Sequence, residues 1–294
     1  MENHIVLCPN PYRDRGIALA SEAAKRLEQA GFTSIMSPVF VDVPDESNME
    51  PLSKCADGAL LIVSFGGDGT FLHVARQLMD RDIPMLGVNM GAKGFMAGLE
   101  PEELPLVVNA ARGEYRSSVR MLLDVDLLRE NVDGDGESDI YMDCALNDAV
   151  IKSDVSCIGV EVTADGDRIS TFSGDGVILS TPTGSTAYSM SAGGPIVEPE
   201  AENIIVTPIC AQVMAAKSFV LSPERTLLVR PERLRGRRAI LSVDGGEGIE
   251  LQSGDEIRIR RSQNRITMAD MGVRSFYETT FHKLTHSIGD EVRG

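Results

Sequence analysis

A glycine-rich turn that contains one carboxylate directly follows an apolar run in the first third of the chain. The run, residues 59–63, reads Ala-Leu-Leu-Ile-Val, and the turn, residues 64–71, reads Ser-Phe-Gly-Gly-Asp-Gly-Thr-Phe. Because glycine has no side chain, the backbone amides of such a turn can approach an anion closely. With Asp68 at its centre, the turn is typical of a phosphate site that carries a candidate general base.

The turn differs from the common nucleotide-binding motifs. The chain contains no G-x-x-x-x-G-K-[ST] sequence, and Leu72 stands where the third glycine of G-x-G-x-x-G belongs. A structural role is also compatible with the turn, because turn aspartates often do no more than accept hydrogen bonds from nearby amides. The turn alone therefore leaves open whether Asp68 is a base or a turn residue.

A second segment, residues 174–195, combines small, hydroxyl-bearing and aromatic side chains. Its centre, residues 181–188, reads Thr-Pro-Thr-Gly-Ser-Thr-Ala-Tyr, and Ser-Ala-Gly-Gly-Pro follows from Ser191. A Pro-Gly turn is predicted to enter a helix at Ser185, and its amides and hydroxyls, with the flat ring of Tyr188, suit the edge and face of an adenine.

An adjacent amide and carboxylate, Asn147-Asp148, lie between these two segments and follow the short apolar stretch Cys-Ala-Leu. The pair is either part of an ordinary loop or a clamp for a ribose diol, since both side chains carry oxygens that accept hydrogen bonds from hydroxyls.

Taken together, these stretches resemble the NAD kinase family, and the similarity runs from Leu60 to about Leu284. Diacylglycerol-type lipid kinases and 6-phosphofructokinases carry a similar glycine turn, but residues 181–188 have no place in them. The resemblance implies an ATP-dependent, Mg²⁺-requiring kinase that phosphorylates the adenosine ribose 2′-hydroxyl of NAD⁺ and so gives NADP⁺ and ADP.

The resemblance also implies how the chemistry is divided among the residues. Asp68 would accept the proton of the 2′-hydroxyl as that hydroxyl attacks the γ-phosphorus, and the phosphates would bind at Gly66, Gly67, Gly69 and Thr70. Mg²⁺ would be held largely by nucleotide phosphates and water, with no dedicated cage of protein side chains.

By the same resemblance, Asn147 and Asp148 would bind the adenosine ribose and Asp175 would contact the nicotinamide side. The full set of residues expected to contact NAD is Gly69, Phe95, Asn147, Asp148, Asp175, Thr186, Ala187, Tyr188 and Ser191.

Three positions depart from the family pattern or have a role that stays open. The family more often has Asn-Glu where this chain has Asn-Asp, so the Asp148 side chain is one methylene shorter. Lys93 is either a solvated lysine or an added charge near the phosphates. Asp244 begins an Asp-Gly-Gly turn that is a candidate subunit interface. Relatives are commonly homodimers or homotetramers, so we expect a homo-oligomer.

Charge and composition exclude several other classes. The 28 Lys plus Arg and 44 Asp plus Glu residues give a net charge of −16, which argues against broad binding to nucleic acid or anionic lipid. The first residues include neither a basic start nor an apolar run long enough for a signal peptide or a membrane span, so we expect a cytoplasmic protein. The five cysteines are widely spaced, which predicts buried free thiols.

The periodicity of apolar residues predicts two kinds of domain. Residues 1–114 alternate strand and helix, which predicts an α/β nucleotide-binding domain with a mainly parallel sheet, whose ligands bind at the carboxyl ends of its strands. In this domain Thr70 is predicted to cap a helix from Phe71 to Met79, and Pro101 is predicted to open a further helix. Residues 115–270 switch to strand alternation, which predicts an antiparallel, β-rich NAD-binding domain. Residues 271–294 are expected to form a helix that packs back on the first domain.

Two competing functions remain open from the sequence. One is a lipid or sugar kinase that shares the glycine turn, and the other is a catalytically silent dinucleotide sensor. Intact Asp68 and Asn147 favour an active enzyme over the sensor. Inorganic polyphosphate in place of ATP, and NADH in place of NAD⁺, also stay open as substrates.

Overall fold

The computed structural model describes residues 3–12, 14–39, 49–90, 94–130, 137–153, 156–212, 216–232, 234 and 237–290, so Lys93 lies outside the described residues. The chain forms two compact units. Unit 1 comprises residues 1–119 and 266–294, and unit 2 comprises residues 120–265.

The secondary-structure elements are numbered in chain order. The strands are β1 (His4–Pro9), β2 (Thr33–Met36), β3 (Ala59–Gly66), β4 (Met85–Asn89), β5 (Arg116–Glu130), β6 (Glu137–Ala145), β7 (Asp148–Ser153), β8 (Ile158–Ala164), β9 (Asp167–Gly174), β10 (Gly176–Ser180), β11 (Ile204–Ile209), β12 (Phe219–Leu221), β13 (Leu227–Glu232), β14 (Ala239–Val243), β15 (Ile249–Leu251) and β16 (Glu256–Asp270). The helices are α1 (Asp14–Gln29), α2 (Leu52–Cys55), α3 (Asp68–Arg76), α4 (Leu106–Ala111), α5 (Tyr188–Ser191) and α6 (Phe276–Asp290).

Unit 1 is built on a parallel sheet. Its strand order is β2-β1-β3-β4, and Met268 near the end of β16 pairs in parallel with Met85 of β4. The central strands β1, β3 and β4 are buried along most of their length, as expected for apolar runs covered by helices. The predicted parallel α/β sheet is confirmed, and Asp68 follows the carboxyl end of β3.

Two helix starts in unit 1 differ from the sequence-based expectation. We expected Thr70 to cap a helix that begins at Phe71, but α3 begins at Asp68 with Gly67 as its N-cap. Similarly, Pro101–Glu103 form a 3₁₀ turn and α4 begins only at Leu106. The 3₁₀ turn has its own capping box, in which the side chains of Glu100 and Glu103 each accept the other's backbone amide.

Unit 2 contains two antiparallel arrangements of strands. One has the order β16-β13-β8-β9, with β5 paired to β16 and β6, and the other has the order β12-β11-β10-β7-β14-β15. Strand β8 buries alternate residues, as predicted from its alternation of apolar and polar side chains. Residues from both arrangements share one core, for example Val125 and Val160 from the first with Leu179 and Leu241 from the second. The predicted antiparallel β region is therefore confirmed.

All five cysteines are free thiols, as predicted, but only Cys8 and Cys55 are buried, and Cys210 is exposed. Within the described residues, no helix is both long and apolar enough to cross a membrane.

Candidate active site

The glycine turn in unit 1 converts the end of β3 into the start of α3 within two residues. Gly66 ends the strand, Gly67 is extended with φ −101° and ψ −171°, and Asp68 is the first helical residue. A Cβ atom on Gly66 would lie 2.2 Å from Oγ1 of Thr70, so a side chain at position 66 would displace Thr70. Because the first amides of a helix have no partner within the helix, this turn presents donors and a positive dipole end to an anion.

The carboxylate of Asp68 is held by the loop that follows β4. The amide of Phe95 donates to Oδ2 at 2.8 Å, and the amide of Met96 donates to Oδ1 at 3.0 Å. A Cβ atom on Gly94 would stand 2.1 Å from Oδ1, so only glycine leaves room for this approach. Each carboxylate oxygen has two lone-pair sites, so the amides fix the orientation of Asp68 and still leave capacity to accept a proton.

Asn10 is a residue of this site that was not predicted from the sequence. Asn10 directly follows β1, and its backbone amide donates to the carbonyl of Phe65. Its side-chain Nδ2 donates to Oγ1 of Thr70 at 3.0 Å. The Thr70 hydroxyl therefore keeps its proton available for donation to another acceptor. The position of Asn10, a polar residue directly after the strand that pairs with β3, was the signal that could have identified it.

Phe95 is half-buried, and its ring centroid lies 6.4 Å from that of Phe276, the first residue of α6. Phe95 thus contributes its backbone to Asp68 and its ring to an aromatic contact.

In unit 2, the short helix α5 lies against the face of the sheet that carries the Asp148 side chain. In the antiparallel register of β7 and β10, Val150 is opposite Ile178 and Asp148 is opposite Ser180, so these four side chains share a face. Val150 and Ile178 pack together with Ile209 and Ala192. Ser189 of α5 also bonds to Thr207, which lies opposite Ile178 on β11, so α5 covers the same face.

Asn147 and Asp148 are positioned by the carboxylate of Asp244. The backbone amides of Leu146, Asn147 and Asp148 donate to it at 2.9, 2.7 and 3.1 Å, and the Asp244 amide donates back to the carbonyl of Asp148 at 2.9 Å. Asp244 has a φ of 50°, and Gly245 follows with a φ of 71°. Asp and Gly are the residues that tolerate this left-handed turn, which aims the Asp244 carboxylate at the three amides.

Burial makes the carboxyl group of Asp148 unusually basic. The residue is 5% exposed. Desolvation, followed by the charge of Asp244, raises the pKa of Asp148 from 3.8 to about 7. Asp148 therefore changes protonation state near neutral pH, as a group that binds hydroxyls or handles protons often does.

The turn of residues 181–184 is packed directly on Asn147. The amide of Thr181 donates to the carbonyl of Asn147 at 2.9 Å, and its hydroxyl donates to the carbonyl of Leu146 at 2.5 Å. A Cβ atom on Gly184 would lie 2.0 Å from the Asn147 carbonyl oxygen, which explains the glycine. The conformation of this turn and the position of Asn147 therefore depend on each other.

The expectation of a single helix from Ser185 is wrong. Residues Thr183–Thr186 form a 3₁₀ turn, Ala187 interrupts it with φ −97° and ψ −125°, and α5 follows. The interruption turns the Tyr188 ring outward, where it is 39% exposed with the Lys152 ammonium 6.0 Å from its centroid. Thr186 and Ala187 are half-buried, and Ser191 is exposed at the end of α5.

Asp175 joins β9 to β10. Its amide donates to the carbonyl of Ile209, and its carbonyl accepts from the amide of Ser153, both at 2.9 Å. The Cys157 thiol donates to Oδ1 of Asp175 across 3.7 Å, and a hydrogen bond to the same carboxylate raises the pKa of the exposed Cys210 thiol. Asp175 is thus fixed through its backbone and contacted by two thiols.

Three polar atoms in this part of unit 2 are buried without a hydrogen-bond partner among the described residues. They are Oδ1 of Asn147, Oγ of Ser180 and Oγ1 of Thr183. Buried polar atoms are paired in nearly all native structures, so a cluster of unpaired ones marks a site whose groups gain partners when a ligand binds. Asn147 belongs to the predicted set and Thr183 lies in the predicted turn of residues 181–188, whereas Ser180 was not predicted from the sequence.

The predicted site residues therefore fall into two groups. Unit 1 contains Gly66, Gly67, Asp68, Gly69, Thr70 and Phe95, and unit 2 contains Asn147, Asp148, Thr186, Ala187, Tyr188 and Ser191, with Asp175 directly before β10. In the described part of the chain, no three His, Cys, Asp or Glu side chains are grouped so that they could hold a metal ion.

Comparisons with known proteins agree with this architecture. The ATP-NAD kinase N-terminal domain model matches residues 5–112, and the ATP-NAD kinase C-terminal domain model matches residues 146–271. The NAD kinase of Natranaerobius thermophilus is 34% identical over 290 residues, which are 97% of this chain and 98% of that protein.

Two solved structures have a similar fold. An NAD kinase from Archaeoglobus fulgidus in complex with ATP is 27% identical with a TM-score of 0.69, and the match covers 92% of this chain and 93% of that one. Yeast NADH kinase complexed with NADH is 23% identical with a TM-score of 0.77, and the match covers 92% of this chain and 83% of that one.

Proposed function

Since this chain belongs to the NAD kinase family, we propose that it transfers the γ-phosphoryl group of ATP to the adenosine ribose 2′-hydroxyl of NAD⁺, giving NADP⁺ and ADP. The observation that carries this proposal is the carboxylate of Asp68, fixed by two backbone amides at the carboxyl end of a parallel strand. Ligands bind at such strand ends in open α/β sheets.

Asp68 acts as the general base. A ribose hydroxyl is a weak nucleophile until a positioned carboxylate accepts its proton, and Asp68 has the lone pairs to do so. As the hydroxyl oxygen bonds to the γ-phosphorus, the bond from phosphorus to the β,γ-bridging oxygen breaks and ADP leaves. The glycine-turn amides and the Thr70 hydroxyl bind phosphate oxygens and so stabilise their charge.

Mg²⁺ would be held at this site mainly by ATP phosphates and water, because the described residues offer no group of His, Cys, Asp or Glu side chains that could bind it. There it would neutralise charge on the transferring phosphoryl group. In a chain with a net charge of −16, such a cation also lowers the repulsion between the protein and a polyanionic substrate.

Unit 2 supplies the dinucleotide-binding residues. Asn147 and Asp148 bind the hydroxyls of the adenosine ribose, and their fixed backbone supports this role. Tyr188 stacks on the adenine, which its exposed ring allows. Asp175 contacts the nicotinamide side. We also propose, from the family resemblance, that the enzyme is a homodimer or homotetramer, which native mass spectrometry tests.

The defining experiment is incubation of the protein with NAD⁺, ATP and Mg²⁺, followed by detection of NADP⁺ and ADP in equal amounts. Parallel reactions with diacylglycerol, a sphingoid base and fructose 6-phosphate test the lipid or sugar kinase alternative, and we expect no turnover of any of them. Faster turnover of one of these acceptors than of NAD⁺ would contradict the proposal. NAD⁺ binding without phosphoryl transfer would instead identify a dinucleotide sensor.

A further inference from the structure

Ser180 carries a fully buried hydroxyl that has no hydrogen-bond partner in the part of the chain that the structure describes. It ends β10, is 0% exposed, and its Oγ is one of the three unpartnered atoms around Asn147. Ser189 is equally buried, but its Oγ pairs with Oγ1 of Thr207 at 2.9 Å. An unpaired buried hydroxyl reduces stability, so its presence at Ser180 requires an explanation.

The position of Ser180 relative to Asp148 provides an explanation for the unpaired hydroxyl. The two residues are directly opposite each other in the antiparallel pair of β7 and β10. Opposite side chains project to the same face, with Cβ atoms about 4.5 to 5.5 Å apart. A change in the serine side-chain torsion can therefore bring its hydroxyl to the carboxyl group of Asp148.

Asp244, the neighbour of Asp148 on the β14 side, cannot donate a hydrogen bond to the Asp148 carboxylate. Asp244 offers only acceptors when ionised, and its carboxylate already accepts three backbone amides. Its charge opposes ionisation of Asp148. A hydroxyl donor from the β10 side would instead favour the ionised carboxylate and restrict its orientation.

We propose that Ser180 is a positioning residue for substrate binding, whose hydroxyl donates a hydrogen bond to the Asp148 carboxylate when the ribose of NAD⁺ is bound. This inference rests on the proposed function. Because the Asp148 side chain has a single methylene and therefore a short reach, its carboxylate needs a fixed orientation to accept hydrogen bonds from the ribose hydroxyls. The Ser180 hydroxyl gains this partner when NAD⁺ binds.

The first test compares Ser180→Ala with Ser189→Ala. Removal of the unpaired hydroxyl should leave the urea midpoint of the unliganded protein unchanged or higher, whereas Ser189→Ala should lower it because Thr207 loses its partner. Ser180→Ala should also raise the KM for NAD⁺ by about 10-fold or more, as expected for a lost hydrogen bond to a charged group. Its kcat should change less than 3-fold.

The second test asks whether Ser180 acts through Asp148. In an Asp148→Ala background, Ser180→Ala should cause no further loss in kcat/KM for NAD⁺. An equal loss in both backgrounds, an unchanged KM in the single variant, or a lowered urea midpoint for Ser180→Ala would overturn the inference. If calorimetry shows that the wild-type protein does not bind NAD⁺, the proposed function fails as well. If the wild type and Ser180→Ala bind NAD⁺ equally, only this inference fails.

Discussion

The backbone amide of Phe95 donates a hydrogen bond to Oδ2 of Asp68, with the nitrogen and oxygen 2.8 Å apart. The neighbouring amide of Met96 holds Oδ1. These bonds tie the turn after β3 to the loop after β4, so the orientation of the proposed base depends on a segment about 27 residues away in the sequence. The close approach requires glycine at position 94, whose added Cβ would meet Oδ1 at 2.1 Å.

Gly94→Ala should therefore reduce kcat strongly. The new methyl group would displace the carboxylate of Asp68, and a misplacement of about 1 Å can cost on the order of 100-fold in rate. Gly98→Ala is the matched control in the same loop, because its Cβ would meet Leu86 at an ordinary 3.6 Å. Steady-state kinetics of both variants check this. Equal kcat values for the two would show that the position of Asp68 does not depend on Gly94.

Asp244→Asn should destabilise the protein. Asparagine tolerates the left-handed backbone at this position, but its NH₂ group replaces one oxygen that accepts backbone amides. We expect a loss of about 1 to 3 kcal/mol of unfolding free energy, measured with urea. Asp165→Asn is the control, because Asp165 has the same φ of 50° in an exposed turn and should cause a smaller change. A loss no larger than the control's would argue against the role of Asp244.

The raised pKa of Asp148 predicts a pH-dependent stability. In the unfolded chain this carboxyl group ionises near 3.8, whereas the folded protein retains the proton until about pH 7. Its contribution to stability is therefore fully present below pH 3.8, decreases as the pH rises, and is lost above about 7. The total change is at most roughly 4 kcal/mol, since one pKa unit corresponds to about 1.4 kcal/mol.

Asp148→Asn removes this titration. Unfolding free energies of the wild type and the variant are measured with urea from about pH 4 to pH 8. As the pH rises, the unfolding free energy of the wild type should fall relative to that of the variant. Parallel curves for the two proteins would show that the pKa of Asp148 is close to its ordinary value.

Tyr188 is expected to bind the dinucleotide without taking part in the chemical step. Tyr188→Ala should raise the KM for NAD⁺ more than it lowers kcat, by an amount equivalent to about 1 to 3 kcal/mol of binding. Tyr188→Phe keeps the ring and should retain most of the affinity. An unchanged KM in the alanine variant would place Tyr188 outside the pocket.

The sequence predicted those elements whose determinants are local. Strand β3 and its glycine turn, the alternating strand β8 and the antiparallel β region all follow from apolar periodicity and turn residues, and the structure confirms them. The predicted start of α3 was wrong. Thr70 is a good capping residue, but its hydroxyl instead accepts a hydrogen bond from Asn10, which is 60 residues away in the sequence. A local pattern does not contain that contact.

The same limit applies to the site in unit 2. Asn147, Asp148 and Tyr188 could be named from their motifs, but the three amides held by Asp244 depend on a contact across about 97 residues. Ser180 was missed because a serine that ends an apolar strand looks like an ordinary strand terminus. Its importance emerges only from the register that places it opposite Asp148.

The central claim is that Asp68 is the general base of phosphoryl transfer to NAD⁺, and Asp68→Asn tests it most directly. The amide keeps the size of the side chain but cannot accept the proton, so kcat should fall by about 10² to 10⁴ while the NAD⁺ affinity measured by calorimetry changes far less. This fall corresponds to roughly 3 to 5 kcal/mol of activation free energy. A variant that keeps more than about a tenth of the wild-type kcat would contradict the account, because a general base contributes more than that.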